Sequence, residues 1–232
     1  MEKADYSGRI IHLAGAHNLR DIGGYPTIDG HIVKRGIFYR SGSMHELTRA
    51  SQMELIKYGV RNVVDLRRKN ELEQFPNVFE KSSQVNYMHH DLTGDGYSVP
   101  DVSVAQLVNL YTYLLDFRRR QIIDILGVFA ALNGSPVVFH CMAGKDRTGI
   151  LSAVLLSIAR VPLEIIVQDY AMSGRPENRR KWLVDDVRPS DAMEGIVNHI
   201  ESSYGDIESY VLDGGLTRED LDLLRCTLLD KQ

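Results

Sequence analysis

The chain has 232 residues, of which 44% are apolar and 25% charged, with a formal net charge of −4 at pH 7. That length suits one α/β domain with a full core, or at most two small ones, and the acidic balance argues against nucleic acid as the main partner. No apolar run approaches the roughly 20 residues of a membrane span, so no integral membrane segment is expected, and two cysteines, Cys141 and Cys226, suit a reducing compartment rather than a disulfide framework.

In chain order, residues 1–16 carry little periodicity and are expected to wrap the surface. Met1 to His12 is polar around a brief Ile10-Ile11 pair, which is not a secretory pattern, so a cytoplasmic location is expected. Asn18 to Tyr25 is turn-rich, and Asp29-Gly30 between Ile28 and Ile32-Val33 signals a hairpin. Gly36 to Arg40 reads as a strand entering a Ser41-Gly42 turn. Thr48 can cap a helix running to about Tyr58, with Gly59 stopping it. Arg61 to Leu66 is a strand, followed by a charged stretch from Arg67 to Glu73. Gln84 to His89 is another strand, and Asp91 to Pro100, with two Gly and two Asp, has the composition of a mobile loop. Residues 101–132 are helical in character, and Arg118-Arg119-Arg120 marks a break between two helices.

Val137 to Phe139 forms a β-branched apolar strand that ends in His140-Cys141. A tight turn follows, and then an apolar helical pattern from Ile150 to Ala159. Pro162 suits the first turn of a further helix toward Ser173-Gly174. Residues 190–230 read as two or three amphipathic helices, with Thr217 to Asp220 resembling a capping box in which Asp replaces Glu. The expected architecture is an α/β single domain over residues 1–232, a mixed central sheet flanked by helices.

The stretch V-V-F-H-C-M-A-G-K-D-R-T-G, Val137 to Gly149, carries the chemistry. A strand, a tight turn and a helix start aim backbone N–H groups and a helix dipole at one point, a ready anion site. Gly144 lets the backbone close around the anion, and Arg147 can grip it with a bidentate fork. Cys141 stands in the same positive field, where a thiol is expected to ionise and act as a nucleophile. Met142, Ala143, Gly144, Lys145 and Thr148 are the expected substrate-binding residues around it.

His140-Cys141, five residues and then Arg147-Thr148 resemble the signature loop of the cysteine-dependent protein tyrosine phosphatase superfamily. The string A-G-K-D-R-T-G is similar to that of its atypical bacterial class, which acts on phosphotyrosine, sometimes phosphoserine or phosphothreonine, and phosphoinositides. Asn18 to Tyr25, Tyr39 to Gly42, Val64 to Arg67 and Gly214 to Leu221 resemble the same class. The resemblance implies a protein tyrosine phosphatase-like fold and a metal-independent phosphomonoesterase working through a cysteinyl-phosphate. It takes a phosphorylated protein or phosphoinositide as substrate and no cofactor.

Roles follow residue by residue. Cys141 is the nucleophile, and Arg147 binds the equatorial phosphoryl oxygens. His140 orients the loop, and Thr148 can donate a hydrogen bond to the thiolate as it departs. Two readings stand for the general acid, because the Trp-Pro-Asp loop of many tyrosine phosphatases is missing and the single Trp182 precedes Leu-Val-Asp. In one, implied by the resemblance and preferred, Asp146 within the loop protonates the leaving oxygen. In the other, Asp91 or Asp95 swings in from the loop after the fourth strand. Lys145 is a second pocket cation suited to a doubly anionic substrate. Asp65 and Arg67 either touch substrate or lock loops, whereas Arg20 and Asp21 are expected to be structural. Cys226, in an L-L-R-C-T-L-L pattern, is expected in the core. Arg118 to Arg120, Arg175, Arg179 and Arg180 read first as solvated helix faces and second as an attractor of anionic substrate or membrane lipid.

No metal site is expected: there is neither a His-Glu-x-x-His helix nor a Cys-x-x-Cys pair, and His89-His90 point to opposite faces of a strand. A nucleotide-binding Walker loop fails on Phe139 and Asp146. Two rival classes remain. One is a catalytically silent phosphate-recognition module; the other is a sulfur-transfer or arsenate-reducing enzyme, which commonly needs a nearer resolving cysteine than Cys226.

Overall fold

The computed structural model describes residues 7–94, 104–174 and 189–230. Its centre is a five-stranded sheet in the order β1-β2-β5-β3-β4. The strands are β1 (Arg20–Asp21), β2 (Phe38–Ser41), β3 (Asn62–Asp65), β4 (Asn86–His89) and β5 (Val137–His140). β1 runs antiparallel to β2, while β2, β5, β3 and β4 are mutually parallel. The sheet is therefore mixed, as the sequence implied. β2, β3 and β5 are buried along their whole length; parallel strands covered on both faces read as continuous apolar runs, which is why Val-Val-Phe shows no alternation.

Successive side chains still part to opposite faces. Phe38, Val64, Val137 and Phe139 join the larger core, and Tyr39, Val63 and Val138 the smaller one. The smaller core is closed by Leu55 of α1 (Arg49–Lys57), with Ile11, Leu13 and Ala16 of the N-terminal stretch packed against it. Thr48 caps α1 by accepting from the Ser51 N–H. The larger core takes in the remaining long helices: α3 (Val104–Phe117), α4 (Arg119–Ala131), α5 (Asp146–Ile158), α6 (Leu163–Ala171), α7 (Pro189–Tyr204), α8 (Ile207–Asp213) and α9 (Arg218–Leu228). α5 is buried on every side from Thr148 to Leu156, so it has no polar face. It contacts β2, β5, α6, α7 and α8.

Three expectations change at their edges. The helix after the signature turn begins at Asp146, not Ile150, with Lys145 at its N-cap, because the polar Asp146 and Arg147 already stand in its first turn as the chain leaves the loop. The charged stretch after β3 contains a short helix, α2 (Lys69–Gln74); it buries no residue, and so shows no apolar period. The Asp29-Gly30 turn closes a pair of chains held by Thr27 N–H to His31 O at 2.9 Å and Val33 N–H to Tyr25 O at 2.8 Å, bridged without extended strands.

The break between α3 and α4 falls at Arg118. Thr217 caps α9 through the Asp220 N–H, but the Asp220 carboxylate accepts from the Thr217 hydroxyl at 2.7 Å. Cys226 is exposed, contrary to the core expected for it: α9 turns Leu221, Leu224 and Leu228 inward and Cys226 outward.

Candidate active site

Ser41, His140, Asp65 and His89 lie in one register row at the carboxyl ends of the parallel strands, where open α/β sheets place their ligands. Just beyond that row the chain turns from Cys141 through Lys145 into α5. Every carbonyl of the turn is held from outside. His140 Nδ1 donates to Cys141 O at 3.1 Å, and the Ser43 N–H to Met142 O at 2.9 Å. Asn18 Nδ2 reaches Ala143 O at 3.3 Å and Gly144 O at 2.7 Å, and Arg40 Nη2 reaches Gly144 O at 2.9 Å and Lys145 O at 3.4 Å. A trans peptide sets each C=O opposite the next N–H, so carbonyls drawn outward turn amides toward the concave side. Gly144 has φ +68°, and a Cβ there would meet Ser41 and Gly42 backbone atoms at 2.5 Å. Only glycine fits.

Behind the loop lies a buried ionic cluster. Asp169 of α6 accepts from Arg20 Nε at 3.0 Å, Arg40 Nη1 at 2.5 Å and the Tyr25 hydroxyl at 3.0 Å. Arg20 and Arg40 are 0% exposed, so two guanidinium groups share one carboxylate without solvent. Burial works against ionisation of Asp169, but Arg20 and Arg40 outweigh it and hold the carboxyl well below its usual range. Burial and then Arg20 bring Arg40 down to about 10. Arg20 also donates to Asn18 Oδ1, which fixes the amide so that its nitrogen faces the loop. Arg20 is structural, as expected. Asp21 braces the neighbouring turn by accepting from the Gly23 and Gly36 N–H groups at 2.7 and 2.8 Å.

On the α1 side of the sheet, Asp65 accepts from Arg67 Nη2 at 2.7 Å, Asn77 Nδ2 at 3.0 Å and the Tyr87 hydroxyl at 3.2 Å, with His140 Nε2 at 3.3 Å. Asp65, Arg67 and His140 are all 0% exposed, which places the Asp65–Arg67 pair in the framework rather than in an open pocket. Burial opposes the Asp65 charge, but His140 and Arg67 hold its carboxyl well below the ordinary value. His140 is thereby wired between this cluster and the Cys141 carbonyl.

Cys141 is 2% exposed. Arg147 forms an end-on pair with Glu71 of α2, Nη1 to Oε2 at 2.6 Å and Nη2 to Oε1 at 2.7 Å. Burial disfavours the charges of both partners, yet the pair lowers the Glu71 carboxyl and raises the guanidinium. Arg147 Nη1 also lies 3.4 Å from Leu66 O. A guanidinium has five N–H donors, so its Nε/Nη2 edge stays available as a side-on fork.

Asp146 Oδ1 accepts from the Tyr111 hydroxyl at 2.5 Å, and Tyr111 is 2.7 Å from the Tyr170 hydroxyl. The Lys145 ammonium lies 6.0 Å from the Tyr170 ring centroid and forms no salt bridge among the described residues. Thr148 Oγ1 is buried without a hydrogen-bond partner.

Asp91 is not brought to the loop in the same way. Its Oδ1 accepts from the Thr93 N–H, the Thr93 hydroxyl and the Gly94 N–H at 2.8, 3.1 and 2.9 Å. Asp95, Trp182, Arg175, Arg179 and Arg180 lie outside the described residues. Arg118 holds Leu92 O and Asp91 O, Arg119 holds Tyr210 O over the Tyr204 and Tyr210 rings, and Arg120 pairs with Asp124. Two of the three arginines therefore brace the fold.

Glu71, Asp169, Tyr111 and Tyr170 carried no motif. Asn18 and Arg40 lay inside stretches singled out by resemblance, without a role. Among the described residues no group of three or more His, Cys, Asp or Glu could hold a metal ion, and no helix is long and apolar enough to cross a membrane.

Residues 11–230 match the tyrosine phosphatase family. A tyrosine-protein phosphatase of Nostoc commune is 28% identical, over 88% of this chain and 78% of its own length. The triple specificity protein phosphatase PtpB of Mycobacterium tuberculosis is 24% identical, over 95% of this chain and 99% of its own. Among solved structures, P. aeruginosa TpbA in complex with pTyr is similar at a TM-score of 0.40 and 15% identity, covering 81% of this chain and 91% of that one.

Proposed function

The chain belongs to the tyrosine phosphatase family, and on that premise we propose that it hydrolyses phosphotyrosine from Cys141, with Asp146 as general acid and Arg147 as phosphoryl clamp. It is a phosphoric monoester hydrolase of the cysteinyl-phosphate type. The observation that carries the residue assignment is the loop itself. Every carbonyl from Cys141 to Lys145 is tied outward, and Arg147 leaves the same turn with one edge fixed by Glu71 and the other available.

The Cys141 sulfur attacks phosphorus as the ester P–O bond breaks, and Asp146 gives its proton to the leaving oxygen. Water then attacks the cysteinyl-phosphate and gives its proton back to Asp146, the S–P bond breaks, and phosphate departs. The loop amides and Arg147 carry the equatorial charge through both steps. Thr148 Oγ1, buried and unpartnered, gains a partner in the departing thiolate. Met142, Ala143, Gly144 and Lys145 supply the cradle, while His140 and Asp65 hold it in place.

Lys145, with no carboxylate bound to it among the described residues, extends the reading to substrates with a second anionic group, such as phosphoinositides or doubly phosphorylated peptides. Residues 1–232 act as one phosphatase domain in this reading. A reducing, cytoplasmic setting suits its two free thiols, Cys141 and Cys226.

The test is aryl phosphate hydrolysis in excess EDTA by wild type and by Cys141→Ser, Asp146→Asn and Asp91→Asn. Activity should survive chelation and vanish in Cys141→Ser. Asp146→Asn should lose about 10²–10⁴-fold on leaving groups of high pKa and much less on activated ones. Asp91→Asn should match wild type; the leaving-group-dependent loss appearing there would move the acid to the loop after β4. An inactive wild type that still binds phosphotyrosine would mark a recognition module. Turnover of thiosulfate or arsenate alone would mark the other rival.

A further inference from the structure

Two buried tyrosines have no place in the reaction just described, and their hydroxyls form a chain that ends on its general acid. Tyr111 of α3 is 1% exposed and Tyr170 of α6 is 2% exposed. The hydroxyls stand 2.7 Å apart, and Tyr111 donates to Asp146 Oδ1 at 2.5 Å. We propose that Tyr111, backed by Tyr170, is a positioning residue that reserves Asp146 Oδ2 as the atom that carries the catalytic proton.

Each hydroxyl has one proton to give. Tyr111 spends its proton on Asp146 Oδ1, so the short contact to Tyr170 is completed by the Tyr170 hydroxyl donating to Tyr111. The chain therefore runs one way, from Tyr170 to Tyr111 to Asp146. A carboxyl oxygen that carries the acidic proton is the weaker acceptor of the two, so the short bond from Tyr111 to Oδ1 favours the proton on the other oxygen. The proton is left to Oδ2, which makes no hydrogen bond among the described residues. Both tyrosines stay protonated through the cycle: burial raises each well above its ordinary value, and the neighbouring Asp146 charge adds to that. They therefore lose no proton. As the P–O bond breaks, the Oδ2 proton passes to the leaving oxygen and the Tyr111 bond receives the carboxylate that forms. The Tyr170 ring lies 3.0 Å from where a Cβ on Gly149 would sit, so α5 approaches α6 closely enough to fix the chain. Among the described residues, Tyr111 from α3, Tyr170 from α6 and Arg147 from its own helix interact electrostatically with Asp146.

The proposal rests on Asp146 as the acid, and the experiment separates the two. Wild type, Tyr111→Phe, Tyr170→Phe and Asp146→Asn are compared on aryl phosphates of graded leaving-group pKa, with kcat and KM resolved. Tyr111→Phe keeps the ring and removes only the donor. It should lower kcat about tenfold on phenyl phosphate, the equivalent of roughly 1.4 kcal/mol for one charge-assisted hydrogen bond. KM and the rate on a dinitrophenyl ester should not change. Its kcat should fall more steeply with leaving-group pKa than that of wild type, since the donor that holds Oδ1 is gone. Tyr170→Phe should shift both readouts in the same direction by less, and it serves as the decisive variant if Tyr111→Phe does not fold. If Asp146→Asn shows the leaving-group-dependent loss but both tyrosine variants match wild type in slope, the positioning role is overturned and the acid assignment stands. If Asp146→Asn itself shows no such loss, both fall.

Discussion

Glu71 holds Arg147 end-on, and a guanidinium held on one edge loses less freedom when its other edge closes on phosphate. Glu71→Ala should therefore lower kcat/KM on aryl phosphates by about 10–100-fold, roughly 1.4–2.8 kcal/mol. Steady-state kinetics beside a thermal melt would check this; a normal rate in a folded variant would remove Glu71 from the site. Sequence could place Arg147, because its spacing from Cys141 is fixed by the turn that wraps the anion. It could not place Glu71, which sits in the run Lys-Asn-Glu-Leu-Glu-Gln among solvated charges of the same kind. Tyr111 and Tyr170 were equally silent. Each reads as one more apolar position on a helix, and only the crossing of α3 and α6 beside α5 brings the two hydroxyls to Asp146.

At the scale of elements, the strand, turn and helix from Val137 to Ile158 were legible because an apolar β-branched run, a glycine and a second apolar run each announce themselves locally. The support behind the turn was not, since Arg20, Arg40 and Asp169 come from β1, β2 and α6. Asp169→Asn would leave two buried guanidinium groups sharing a neutral amide, and should cost on the order of 3–5 kcal/mol in unfolding free energy, measured by chemical denaturation at neutral pH. Its pH signature has a definite sign. The Asp169 and Asp65 carboxyls are held below their ordinary values when folded, so the stability they add is present above about pH 4, the unfolded carboxyl value. It is lost as pH falls through the folded values. Wild type should weaken steadily on acidification below about pH 4, and Asp169→Asn should weaken less steeply because one depressed carboxyl is gone. Parallel acid profiles in the two proteins would contradict the ionic role of Asp169.

Across the whole molecule, fold class was readable from the mixture of buried strands and amphipathic helices, but the order β1-β2-β5-β3-β4 was not, because no local pattern says which parallel strands are neighbours. That order puts β5 between β2 and β3, so the nucleophile loop emerges with the Asn18–Arg40 support on one flank and the Asp65–His140 cluster on the other. Cys226 shows the limit of pattern reading: four leucines surround it, yet it faces solvent because α9 has only one inward stripe. The central claim is that Cys141 carries the phosphoryl group during turnover. The most direct test is to quench the enzyme in acid while it turns over an aryl phosphate in excess EDTA, and to locate phosphate by peptide mass spectrometry. The phosphoryl group should be found on the peptide bearing Cys141 and be missing, together with turnover, in Cys141→Ser. Phosphate on another residue, or hydrolysis persisting in Cys141→Ser, would contradict the account.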